Sequence, residues 1–97
     1  MRLDIYLKQT GQIKKRSEAK RACENQQVIL INVEPKKVAK ASQSVHIGEC
    51  FQIELENRLI KIEILRIPIR TPSRKDRARF FRLIDEQHID SFSDLSF

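Results

Sequence analysis

The 97-residue chain has two glycines, two histidines, one tyrosine and two cysteines, and each shortage removes a class of function. With glycine confined to Gly11 and Gly48, there is no glycine-rich loop to cradle the phosphates of a nucleotide or cofactor. The few His and Tyr leave no paired nucleophile and base, so a non-enzymatic protein without catalytic residues or cofactors is expected. Cys23 and Cys50 are too few for a disulfide framework, and in a chain lacking an export signal they are expected as free thiols. His46 and Cys50 stand four apart, but Gly48 interrupts the segment and no second ligand pair follows, so no metal site is expected. No apolar run approaches the ~18 residues of a membrane span, and the N-terminus does not resemble a signal peptide. The expectation is a soluble, cytoplasmic protein with no membrane partner.

What the chain does have is positive charge, unevenly placed. The net charge is +6 with a sequence pI near 9.7, which favours a polyanionic partner. Residues 1–40 carry +6, residues 41–66 carry −1, residues 67–82 carry +5 and residues 83–97 carry −4. Two basic blocks therefore flank a nearly neutral centre, and an acidic tail closes the chain. Blocks this one-sided point to a binding surface rather than to solvation alone.

Hydrophobic spacing predicts the elements. Leu3, Tyr6 and Leu7 recur at helical intervals, with Asp4 in the first turn, which predicts a helix over about 3–10 ended by Gly11. A linker carrying Lys14, Lys15 and Arg16 leads to Ser17, the expected N-cap of a second helix running to about Asn25. Three cations before a helix N-terminus concentrate affinity for phosphate there. The second helix is too short to stand alone, so its Ala19, Ala22 and Cys23 must pack, and small residues let the helices approach closely.

Val28 to Val33 reads as a strand, Glu34-Pro35 as a turn and Lys36 to Val38 as a short returning strand. Residues 39–50 read as a loop. Phe51, Ile53 and Leu55 then alternate with polar residues, and after Asn57-Arg58 so do Ile60, Ile62 and Ile64 within a strand over 59–67. Pro68 and Pro72 end that strand, and Ser73 with Asp76 has the form of a capping box. A third helix is predicted over 74–87, with Phe80, Phe81, Leu83 and Ile84 as its apolar face and Arg74, Lys75, Arg77, Arg79 and Arg82 as its basic remainder. The two Phe are read as core anchors. Phe92 and Phe97 lie in a tail that is either loose or docked on the sheet. The expected fold class is α+β: two helices on an antiparallel sheet of four to five strands, plus a basic C-terminal helix. The expected divisions are 1–67, a helical extension at 68–88 and an acidic tail at 89–97.

Five short motifs in order now carry a resemblance. They are Arg2-Leu3-Asp4 with Leu7, Arg16-Ser17 with Ala19-Lys20, Ile31-Asn32, Lys40-Ala41-Ser42, and Val45-His46-Ile47-Gly48-Glu49. Together they resemble the S-four RNA-binding domain, named after a ribosomal small-subunit protein and built on the αL-type helix pair, over residues 1 to about 56. Among stand-alone members the chain is similar to the bacterial ribosome-associated heat-shock and RqcP-type proteins. The resemblance implies binding of rRNA and tRNA, on the large ribosomal subunit carrying peptidyl-tRNA, in rescue or quality control of stalled ribosomes. Carried onto this chain, it implies RNA contacts by Arg2, Lys14, Lys15, Arg16, Ser17, Lys20 and Arg21, extended by Lys36, Lys37 and Lys40. A secondary surface from Arg74, Lys75, Arg77, Arg79 and Arg82 and a monomeric state are expectations of the same reading. Alternative roles are an RNA-targeting subunit for a separate modifying enzyme and a protein-interaction adaptor. Where the family usually has Gly before the first strand and after the hairpin Asn, this chain has Gln26-Gln27 and Val33.

Overall fold

A computed structural model describes residues 1–88. Two helices, α1 (Leu3–Gln9) and α2 (Arg16–Glu24), precede five strands, β1 (Val28–Leu30), β2 (Lys37–Val38), β3 (Cys50–Leu55), β4 (Arg58–Ile64) and β5 (Phe81–His88). The strands form one antiparallel sheet in the order β2-β1-β3-β4-β5. The alternation read from the sequence is the alternation of the sheet. Phe51 and Ile53 pair with Ile62 and Ile60 and are buried with Ile64, while Glu54 is exposed and Gln52, Lys61 and Glu63 are only partly covered. On the buried face the sheet meets Leu3, Tyr6 and Leu7 of α1 and Ala19, Ala22 and Cys23 of α2 in one core. Each large apolar side chain buried there contributes roughly 1.5–3 kcal/mol.

Both helices close with the same hydrogen-bond pattern. In α1 the Gly11 N–H donates to the Lys8 carbonyl and the Gln12 N–H to that of Leu7. In α2 the Gln26 N–H donates to Cys23 and the Gln27 N–H to Ala22. This Schellman closure needs a left-handed residue just past the helix, supplied by Gly11 at φ 81° and by Gln26 at φ 62°. The expected Gly before the first strand is thus replaced by a glutamine in the same strained conformation. Val33 escapes the problem, because Gln26 is the sole non-glycine residue with positive φ among the described residues. Asn32 has a structural role: its amide donates to the Gly48 carbonyl, and its side-chain oxygen accepts from the Cys50 N–H. Those two bonds tie the loop before β3 to the end of β1.

Two expectations are corrected. Helix α2 starts at Arg16 with Lys15 as N-cap and no side-chain cap bond, so Ser17 lies inside the first turn. The helix predicted over 74–87 does not form. The Ser73 hydroxyl bonds the Asp76 carboxylate instead of capping a longer helix, a single turn of 3-10 helix covers Arg77–Arg79, and the chain then extends into β5. The physical reason is the edge of β4, whose N–H and C=O groups need partners. β5 pairs along it from Ile64↔Phe81 to Arg58↔His88, with a bulge opposite Lys61/Ile62. Phe81 packs on the core as expected of an anchor, but Phe80 is half-buried outside it and Leu83 and Ile84 stay exposed. Residues 68–88 are therefore not a helical extension, and their last eight residues complete the sheet. The acidic tail with Phe92 and Phe97 lies outside the described residues.

Candidate nucleic-acid interface

The extended backbone leading into α1 places Arg2 beside the loop that follows the hairpin. Arg2 bridges to Ser44, and the Leu3 and Asp4 N–H groups donate to the Gln43 and Ala41 carbonyls. From this fixed start the Asp4 side chain turns inward and is 1 % exposed. Arg2 grips it in a two-pronged pair, Nε to Oδ1 at 3.1 Å and Nη2 to Oδ2 at 3.1 Å. Arg16 reaches Oδ2 from the start of α2 at 3.5 Å, and the Ile5 N–H donates to Oδ1 at 2.8 Å. Burial by itself would raise the carboxyl, but the Arg2 and Ile5 hydrogen bonds and the charges of Arg2 and Arg16 outweigh it and hold Asp4 below its ordinary value. One carboxylate thus orients two guanidinium groups whose own side chains remain 42 % and 55 % exposed. Two of Arg2's five N–H donors are spent on Asp4, and the others are left for a ligand.

These residues line a cleft of about 350 Å³ with Ser17 and Lys20. A second cleft, of about 420 Å³, shares Arg2 and Lys20 with it and adds Lys40. Of the residues expected to contact RNA, Arg2, Arg16, Ser17, Lys20 and Lys40 therefore converge. Lys15, the N-cap of α2, and Arg21 on the helix are exposed without lining either cleft. Lys36 and Lys37 are exposed on the hairpin, Lys37 in the outer strand β2, and line neither cleft, although Val38 beside Lys37 lines the second.

Lys14 faces elsewhere. It shares a cleft of about 740 Å³ with Lys8, Arg74 and Arg77, beside Gly11 and Ile13. The expected secondary set is divided by this arrangement. Arg79 is paired with Asp76 at 3.7 Å, and Arg82 is held by Glu63 at 2.7 Å; Lys75 is exposed. Only Arg74 and Arg77 of that set join the Lys8 and Lys14 cleft.

Sequence reading missed two contributors. Asp4 reads in sequence as a first-turn acid within the Arg2-Leu3-Asp4 motif, and its bracing of Arg16 arises only through the approach of α2. Lys8 was passed over because its neighbours Arg74 and Arg77 are distant in sequence. No group of three or more metal-ligating side chains occurs among the described residues, and none of their helices is long and apolar enough to cross a membrane.

No protein-family model and no curated relative matches the chain. Among solved structures it is similar to heat shock protein 15 of Vibrio cholerae, described as trimeric, with a TM-score of 0.74 and 25% sequence identity over 86% of this chain and 80% of that one. The likeness supports an S-four-like, heat-shock-protein-15-like fold, as the motifs implied.

Proposed function

We propose that this protein is a non-enzymatic binder of structured RNA that acts on the large ribosomal subunit carrying peptidyl-tRNA, in the rescue or quality control of stalled ribosomes. The observation that carries the reading is the pair of exposed arginines, Arg2 and Arg16, braced on buried Asp4 beside Ser17 and Lys20. A fold similar to that of heat shock protein 15 supports it. A-form RNA hides its base edges in a deep groove, so a protein reads its shape through phosphates and 2′-OH groups. Guanidinium groups held in fixed orientation suit such contacts better than freely rotating cations, because less side-chain freedom is lost on binding. With about six phosphates engaged, affinity falls with a log–log salt slope of roughly −4 on single-strand-like RNA and more steeply on duplex.

Density-gradient sedimentation of tagged protein from lysate, at low and moderate salt and with or without a translation stall, tests the reading. Salt-sensitive migration with free large subunits enriched in peptidyl-tRNA is the expected result, weakened at least severalfold in Arg16→Gln. That variant leaves Arg2 on Asp4 and so spares the brace. Migration near the top of the gradient refutes ribosome association. A nuclease-resistant complex with another protein supports instead the targeting or adaptor role. The reading takes one copy of the chain per RNA site, and three copies per particle would correct it toward the trimer described for the neighbour.

A further inference from the structure

The cleft between α1, the linker to α2 and the segment before β5 is lined by Lys8, Lys14, Arg74 and Arg77 with Gly11 and Ile13. It holds four cations and no acid. None of the four is in an ion pair among the described residues, although the neighbouring Arg79 and Arg82 each have one. The Nε of Arg77 is buried and has no acceptor among the described residues, so no protein carboxylate answers the charge of this guanidinium. Its guanidinium lies against Gly11, where a Cβ would meet Nη1 at 3.0 Å and Cδ at 3.2 Å. The side chain is thereby fixed by backbone contact rather than by a carboxylate.

The cleft is also anchored from both sides. The Tyr6 hydroxyl in α1 donates to the Phe80 carbonyl at 2.6 Å, and Gln9 reaches Thr71 at 3.4 Å. Two basic segments more than sixty positions apart in sequence are thus locked against each other. Like charges brought together this way repel, and an anion that bridges them removes the repulsion. Lys14 is followed directly by Lys15 and Arg16, so in sequence a single residue, itself a cation, separates this cleft from the one containing Arg16.

We propose that Lys8, Lys14, Arg74 and Arg77 form a second phosphate-binding notch, which takes the RNA backbone at a point separate from the Arg2 and Arg16 cleft. The proposal rests on the RNA-binding reading above and adds where a second stretch of backbone is held. It makes α1 a wedge gripped on both sides by one RNA.

Fluorescence anisotropy with a fluorescein-labelled RNA hairpin, titrated at several KCl concentrations, separates the two ideas. The double variant Lys8→Gln/Arg74→Gln removes two solvent-exposed charges, and circular dichroism melting confirms that the fold is kept. Its expected dissociation constant is about tenfold higher at low salt, with a salt slope shallower by about 2. Lys61→Gln, on the sheet face away from the helices, is expected to change neither. Wild-type affinity and slope in the double variant, alongside weakened Arg16→Gln, overturn the notch and leave the first cleft standing. Weaker binding at unchanged slope, or an equal effect of Lys61→Gln, also overturns it, since the contribution would then be indirect or diffuse. Absence of wild-type binding to any structured hairpin rejects the RNA-binding reading itself and the notch with it.

Discussion

At Asp4 a single carboxylate, almost wholly shielded from solvent, answers two guanidinium groups and one backbone N–H. Removing both cations would leave a buried charge without a counterion, a change that destabilises proteins by several kcal/mol. The double variant Arg2→Ala/Arg16→Ala is therefore expected to lose stability as well as affinity. Asp4→Asn is the sharper probe. It adds one unit of positive net charge, so a site acting through charge alone would bind RNA more tightly. A site acting through oriented arginines would bind it more weakly, and a severalfold rise in the dissociation constant is expected. The same residue sets an acid limb. Its folded value lies below the ordinary 3.8, so the unfolded chain binds the proton first as pH falls, and Asp4's contribution to stability, present above pH 3.8, is lost as pH drops through the folded value. Urea midpoints of wild type and Asp4→Asn should accordingly converge on acidification below about pH 4.

Gln26 offers a prediction of opposite sign. A left-handed conformation costs a side-chain-bearing residue about 1–2 kcal/mol, of which glycine's extra unfolded-state entropy returns about 0.4–1. Gln26, at φ 62°, is exposed. Gln26→Gly is expected to raise stability by roughly 0.5–1 kcal/mol, a gain of a few degrees in Tm for a domain of this size. A lower melting temperature would show that the glutamine side chain contributes more than its backbone strain costs.

Among the elements, the segment from Pro68 to Phe81 shows how one contact sets a path. Burial pushes the Tyr6 hydroxyl far above the ordinary phenol range, so it stays a donor at any working pH. Its acceptor, the Phe80 carbonyl, also receives the Leu65 and Arg66 N–H groups. Three donors on one oxygen pin the chain where it leaves the 3-10 turn and enters β5. Tyr6→Phe keeps the ring in the core and removes only the hydroxyl; since two donors to Phe80 remain, a loss near 1 kcal/mol is expected in chemical denaturation. A loss several times larger would mean that β5 detaches from β4 without the bond. Pairing with β4 also explains why residues 81–87 extend, although the Phe80, Phe81 and Ile84 spacing suits a helix. The edge of β4 offers a ladder of backbone hydrogen bonds that a detached helix would leave exposed.

Over the whole molecule, the fold joins the two basic blocks that the sequence keeps apart. Residues 1–40 and 67–82 both carry strong positive charge, and they meet where Lys8 and Lys14 face Arg74 and Arg77. Between them the nearly neutral sheet supplies the core, with its buried face against the helices. Cations gathered in two clefts suit a ligand that is itself stiff and multiply charged, which accords with structured RNA.

The sequence by itself determined the two helices, the hairpin, the β3 and β4 alternation and the basic character of the surface. Those features depend on local spacing, on turn residues and on net charge, which are readable within a window of a few residues. Tertiary structure alone decided that 81–88 is a strand, that Asp4 braces Arg2 and Arg16, and that Lys8 belongs with Arg74 and Arg77. Each of those outcomes turns on groups far apart in the chain. An unpaired strand edge, a buried carboxylate or an uncompensated arginine acquires its energetic weight only once folding has taken water away from it.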